Sequence, residues 1–99
     1  MKKCKGIWFY GFSGSGKSHI SKILHKKIEN SVVLDGDIIR RYVSIDLNYS
    51  KEHRVIQLKR VFGISKIIIE SKKFPIISTA YFTNEINKKC KLSGILAIR

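Results

Sequence analysis

One eight-residue stretch constrains the fold of this 99-residue chain more than any other. It runs Gly11-Phe12-Ser13-Gly14-Ser15-Gly16-Lys17-Ser18 and matches the phosphate-binding loop pattern G-x-x-x-x-G-K-[ST] at every required position. Glycines in this pattern let backbone N–H groups approach a triphosphate, the lysine reaches the β- and γ-phosphates, and the serine hydroxyl is a ligand for Mg²⁺. We therefore predict that a nucleoside triphosphate binds to Gly11, Ser13, Gly14, Ser15, Gly16, Lys17 and Ser18.

The residues on either side of the loop support this interpretation. Residues 7–10 form an apolar and aromatic run that predicts a buried strand. Ile20, Ile23, Leu24 and Ile28 follow at the spacing of one helix face. Strand, loop and helix thus come in the order that a phosphate-binding loop requires. The alternative is a Gly/Ser-rich turn that happens to contain a lysine, and such a turn does not require this order.

The remaining pattern predicts an α/β fold. Strands are expected at residues 31–34, 74–80 and 95–98, and helices at 38–43, 51–71 and 83–91. The order β-α-β-α-α-β-α-β indicates one domain over residues 1–99 with a parallel sheet covered by helices on both faces. The expected fold class is therefore the three-layer arrangement of P-loop NTPases.

Two carboxylates follow the second predicted strand. Asp35-Gly36-Asp37 lies where that strand ends, and ligands of open α/β sheets bind at the carboxyl ends of the strands. The alternative is an ordinary turn in which Asp37 is the N-cap of the next helix. Beside a phosphate-binding loop, we favour the ligand site.

Composition narrows the classes of partner. The net charge is +13, but no basic run is longer than two residues, which favours steering of polyanionic small substrates over nucleic-acid binding. Cys4 and Cys90 lack metal-type spacing and are expected to be free thiols in a reducing cytoplasm. No segment approaches the ~20 apolar residues of a membrane span, and the apolar run near the start is too short for a signal peptide. We expect a cytoplasmic protein with no membrane partner.

Several ordered motifs, over about residues 6–80, resemble those of the adenylylsulfate (APS) kinases. The loop is similar to that family's G-L-S-G-S-G-K-S, and residues 34–40 are similar to its L-D-G-D-x-x-R. Residues 47–50 resemble its L-G-F-S, His53-Arg54 stands in place of its D-R, and Gln57 falls where the family has a substrate-contacting Asn. The resemblance implies a cytoplasmic kinase of sulfate assimilation that uses MgATP to phosphorylate the 3′-hydroxyl of adenosine 5′-phosphosulfate.

The resemblance also implies a role for each matching residue. Lys17 and Asp37 would be catalytic, with Asp37 orienting the acceptor hydroxyl, while Ser18 and Asp35 would hold Mg²⁺. The acceptor would be bound by Asp37, Arg40, Tyr49, Arg54 and Gln57. The arginines would grip its phosphate oxygens and Tyr49 would stack on its base, although a solvated helix face is the other interpretation of each arginine.

The chain departs from the family pattern after its third strand. Tyr81-Phe82-Thr83 occupies the region of the family's Ile-Ser-Pro, and the arginines that follow there are absent. The family also continues with a lysine-rich lid and further elements, so we expect a C-terminally truncated domain. The alternatives are therefore a kinase for cytidine diphosphoramidate in surface-polysaccharide biosynthesis, or an ATP-binding remnant without turnover. A homodimer is expected, as in relatives.

Overall fold

The computed structural model describes residues 3–11 and 16–99. The four strands are β1 (Gly6–Tyr10), β2 (Ser31–Asp35), β3 (Phe74–Thr79) and β4 (Ile95–Ile98). The four helices are α1 (Lys17–Lys27), α2 (Gly36–Tyr42), α3 (Lys51–Glu70) and α4 (Asn84–Ser93). Each predicted strand and helix is present, and the bounds differ from the prediction by a few residues at most.

The strands form one parallel sheet in the order β2-β3-β1-β4. In the register, Asp35 is level with Ser78, and Tyr10 is level with Thr79. The carboxyl ends of β1, β2 and β3 therefore meet at one edge of the sheet. The prediction of a parallel α/β sheet is confirmed.

Helices cover both faces of this sheet. One face carries Trp8, Leu34 and Ile77, which belong to the main buried cluster together with Leu58 of α3 and Ile86 of α4. Strand residues alternate between faces, so Phe9 and Ile76 lie on the other side. Both are buried outside that cluster, on the side that α1 covers through its contacts with β2 and β3.

The apolar face predicted for α1 is only partly covered. The buried residue of this helix is Ser21, whereas Ile20 and Ile23 remain 43% and 41% exposed. The helix packs on β2 and β3, and Ser21 is the side chain that this contact buries, while both isoleucines stay at its margin.

The long helix α3 behaves as its sequence predicts. Leu58 and Val61 are fully buried, and Ile64 and Ile68 pack against the same cluster. Ser50, predicted as its N-cap, accepts a hydrogen bond through Oγ from the His53 backbone N–H at 3.3 Å. In the described part of the chain, no helix is long and apolar enough to cross a membrane.

Candidate functional site

The phosphate-binding loop is described at its two ends. Gly11 has φ +138° and Gly16 has φ +87°, conformations that residues with a Cβ rarely adopt. Among the described residues, none lies within 4 Å of a Cβ added at either position, so the backbone conformation, not space, calls for glycine. The predicted ligands Ser13, Gly14 and Ser15 lie outside the described residues.

Lys17 begins α1 at the end of this loop. Its Nζ donates a hydrogen bond to the Gly11 carbonyl oxygen at 2.7 Å, across the start of the loop. Gly11 is tied in turn to the sheet, because its N–H donates to the Thr79 carbonyl oxygen at 3.3 Å. The ammonium group therefore lies at the mouth of the loop, beside the N-terminus of α1, where the helix dipole favours anions.

A cavity of about 380 Å³ opens next to Lys17 at the edge of the sheet. The sequence-predicted residues that line it are Gly16, Lys17, Ser18, Asp35 and Asp37. The other lining residues are His19 of α1, Gly36 of α2, Ser78 and Thr79 at the end of β3, and Ala80 beyond it. The fold thus brings the lysine, the serine and both carboxylates to one space, although Ser18 and Asp35 are 17 positions apart in the sequence.

The first carboxylate caps a helix. The Asp35 Oδ1 atom accepts a hydrogen bond from the Asp37 backbone N–H at 2.8 Å, so α2 begins at Gly36. The alternative that placed the N-cap at Asp37, with the helix starting at residue 38, is wrong, because β2 runs directly into α2. Asp37 lies instead in the first turn of α2, and its exposed side chain is not used by the cap.

A second cavity, of about 290 Å³, adjoins the first. All five residues predicted to bind the acceptor line it: Asp37, Arg40, Tyr49, Arg54 and Gln57. They come from two helices and the loop between them. Asp37 also lines the first cavity, as do Gly36, Thr79 and Ala80, so these residues mark where the two spaces meet.

The Arg40 guanidinium stacks on the ring of Tyr49. The Arg40 guanidinium carbon lies 4.2 Å from the centre of the Tyr49 ring, and its Nη1 donates to the Asn48 carbonyl oxygen at 3.2 Å. A guanidinium stacked on an aromatic face gains a cation–π contact and keeps its remaining donors for an anion. Tyr49 itself is 67% exposed, so its other face is accessible.

The loop that carries Tyr49 is fastened to α3 by a charged pair. Arg60 donates two hydrogen bonds to the Asp46 carboxylate, at 2.7 and 3.0 Å. The hydrogen bond from Arg60 lowers the pKa of Asp46 below its usual value of 3.8. The Asn48 backbone N–H also donates to His53 Nδ1 at 2.9 Å. These contacts give the loop a defined position over the second cavity.

Gln57 is the most buried of the predicted acceptor residues. It is 5% exposed, and its Nε2 donates to the Gly36 carbonyl oxygen at 3.2 Å. Its Oε1 atom is buried and accepts no hydrogen bond from the described residues. Buried polar atoms are nearly always paired, so Oε1 is an exception, while Gln57 itself contributes to the wall of the second cavity.

Sequence reasoning missed the contribution of the segment after β3. Thr79, Ala80 and Tyr81 line the second cavity, and the Arg54 guanidinium carbon lies 5.8 Å from the centre of the Tyr81 ring. The departure from the family pattern at Tyr81-Phe82 indicates a different acceptor base or anion, but it does not put Tyr81 among the predicted acceptor residues. Its position at the carboxyl end of a predicted parallel strand was the signal that could have placed it in the site.

The profile of the adenylylsulphate kinase family matches residues 3–92, and the chain belongs to this family. It is 33% identical to the probable adenylyl-sulfate kinase of Halalkalibacterium halodurans, over 97% of this chain and 48% of that protein. It is 39% identical to the adenylyl-sulfate kinase of Bacteroides thetaiotaomicron, over 82% of this chain and 41% of that protein. The chain thus spans about half the length, or less, of these relatives.

Solved structures give the same family. The Mycobacterium tuberculosis APS kinase CysC in complex with AMPPNP and APS matches with a TM-score of 0.75 and 28% identity. That match covers 98% of this chain and 61% of the other. The three-layer P-loop fold predicted from the sequence is therefore confirmed.

Proposed function

We propose that this chain carries the core of an ATP-dependent kinase that phosphorylates the 3′-hydroxyl of adenosine 5′-phosphosulfate. The observation that carries the proposal is the position of Asp37 where two cavities meet. One cavity holds the lysine and serine of a phosphate-binding loop, and the other holds two arginines and a tyrosine suited to a nucleotide with an anionic group. We treat residues 1–99 as one domain of this type, the N-terminal part of an adenylylsulfate-kinase-like domain.

In this proposal, each cavity binds one substrate. The triphosphate of ATP lies in the first cavity against Lys17, whose point charge offsets the charge of the β- and γ-phosphates. The acceptor lies in the second, with its anionic group between Arg40 and Arg54 and its base on the free face of Tyr49. Asp37 then faces the acceptor hydroxyl, where a carboxylate orients the nucleophile and accepts its proton.

The residues present fit a magnesium ion bound with the nucleotide. Ser18 and Asp35 line the same cavity and offer the hard oxygen ligands that Mg²⁺ prefers. One Asp35 oxygen caps α2, and Mg²⁺ commonly takes only one or two protein carboxylates, with water and phosphate completing its shell. When bound, the ion neutralises charge on the transferring phosphate.

The other partner predictions rest on the sequence and the relatives. The Mycobacterium tuberculosis kinase binds AMPPNP and APS in its complex, which supports small nucleotide ligands for this chain. A homodimer, a cytoplasmic location and the absence of nucleic-acid binding stay predictions. Light scattering of the purified chain, with and without nucleotides, tests the dimer.

The proposal is tested by following product from ATP, Mg²⁺ and adenosine 5′-phosphosulfate with purified protein. Asp37→Asn keeps the size of the side chain but not its basicity, so we expect kcat to fall about 100-fold or more. Glu70→Gln, at the end of α3, removes a carboxylate outside both cavities and is the matched control. Product with cytidine diphosphoramidate alone would assign the alternative acceptor. MgATP binding without product from either acceptor would leave a nucleotide-binding remnant.

A further inference from the structure

Hydrogen bonds and ring contacts with β1 hold the segment that follows β3 at the second cavity. Thr79 Oγ1 accepts a hydrogen bond from the Trp8 indole Nε1 at 2.8 Å and donates one to the Tyr81 carbonyl oxygen at 2.8 Å. Trp8 is fully buried and Thr79 is 6% exposed, so this relay lies inside the protein. It ties the backbone of Tyr81 to the centre of the sheet.

A second set of contacts fixes the other side of Tyr81. The Phe82 ring stacks on the Tyr10 ring, with 4.1 Å between centres and 9° between planes. It also meets the Trp8 ring edge-on at 5.4 Å. Because β1 holds Thr79 before Tyr81 and Phe82 after it, the Tyr81 side chain has a defined direction, and it lines the second cavity.

Arg54 is the side chain that Tyr81 faces there. Arg54 is exposed, and its guanidinium carbon lies 5.8 Å from the centre of the Tyr81 ring. Within residues 3–11 and 16–99, the guanidinium group makes this ring contact but neither an ion pair nor a hydrogen bond. A long exposed side chain without a fixed partner samples many rotamers, and each must be given up when it binds an anion.

We infer that Tyr81 is a positioning residue of the acceptor pocket, whose ring face holds Arg54 where it binds the anionic group of the acceptor. The inference rests on the proposed function. The ring acts through its π-face, so its hydroxyl is dispensable. Tyr81 therefore affects acceptor binding through Arg54 and leaves ATP binding unchanged.

The test is the dissociation constant of adenosine 5′-phosphosulfate, measured by calorimetry for a set of variants. Tyr81→Leu removes the ring, and we expect binding to weaken about three- to tenfold. Tyr81→Phe keeps the ring and should bind like the wild type. Tyr81→Met, which has similar bulk without a ring, is the second variant if Tyr81→Leu does not fold. The dissociation constant of ATP should stay the same throughout.

A matched control lies on α2. Arg41 and Tyr42 form another pair of this kind, at 6.0 Å, and neither lines the second cavity. Tyr42→Leu should therefore leave acceptor binding unchanged. In an Arg54→Ala background, Tyr81→Leu should cause no further loss, because there is no guanidinium left to position.

The outcomes separate the two proposals. If the wild type does not bind adenosine 5′-phosphosulfate, the proposed function fails and the role of Tyr81 falls with it. If the wild type binds and Tyr81→Leu or Tyr81→Met binds equally well, only the role of Tyr81 is overturned. A loss that persists in the Arg54→Ala background would also overturn it, since the ring would then contact the acceptor directly.

Discussion

Replacing Thr79 with valine removes one hydroxyl from the interior at nearly constant volume. That hydroxyl pairs two groups, the Trp8 indole N–H and the Tyr81 carbonyl oxygen, each at 2.8 Å. The indole N–H lies on a side chain with no exposed surface, so water cannot replace the lost partner. The Tyr81 residue is half-buried, and its carbonyl oxygen is closer to solvent.

The size of the effect follows from these two groups. Leaving a buried donor unpaired costs about 1–3 kcal/mol, and the carbonyl adds a smaller amount. We expect Thr79→Val to lower the free energy of unfolding by about 2 kcal/mol. For a domain of this length, that corresponds to a fall in Tm of about 10 °C.

Urea unfolding followed by circular dichroism measures this change. Trp8→Phe removes the donor and gives the second arm of a double-mutant cycle. In the Trp8→Phe background, Thr79→Val should cost less than in the wild type, because no indole N–H is left unpaired. A Thr79→Val protein within about 0.5 kcal/mol of the wild type would refute the reasoning, since the relay would then contribute nothing.

Two further predictions concern buried polar groups and thiols. Gln57→Leu loses the hydrogen bond from Nε2 to the Gly36 carbonyl oxygen but also removes the unpaired Oε1. We therefore expect the free energy of unfolding to change by less than about 1 kcal/mol. Calorimetry should show acceptor binding weakened about tenfold. Marked destabilisation with unchanged acceptor binding would contradict this. Burial raises the pKa of Cys90 from 9.0 to about 11, whereas Cys4 is exposed. A thiol reagent at pH 8 should therefore modify Cys4 alone in the native protein and both cysteines in denaturant. Cys90 ionises at lower pH in the unfolded chain than in the folded protein. Its contribution to stability is therefore present below pH 9 and is lost as pH rises toward 11. Rapid labelling of both thiols in the native protein would contradict the burial of Cys90.

The sequence predicted the order of elements because strong local signals mark each of them. The phosphate-binding loop lies between an apolar strand and a helix, and β2 and β3 are runs of apolar and β-branched residues. Parallel pairing then follows from the alternation of strands and helices. The residues chosen from the family resemblance lie around one cavity, and their binding roles stay predictions: Asp37, Arg40, Tyr49, Arg54 and Gln57.

Other features depend on distances that a one-dimensional pattern does not contain. The α1 stripe of Ile20 and Ile23 predicted burial, yet Ser21 is the buried residue of this helix. The cap at Asp35 depends on β2 passing into α2 without a loop. The relay from Trp8 to Thr79 spans 71 residues, and only the pairing of β1 with β3 brings the two side chains together.

Transfer of labelled γ-phosphate from ATP to adenosine 5′-phosphosulfate, by the wild-type chain with Mg²⁺, decides whether the two cavities form a working kinase site. The two-cavity site predicts a labelled product that carries the phosphate on its 3′-hydroxyl, at a rate that falls about 100-fold or more in Asp37→Asn. Tight binding of both nucleotides with no labelled product would contradict the claim that this arrangement is sufficient for phosphoryl transfer.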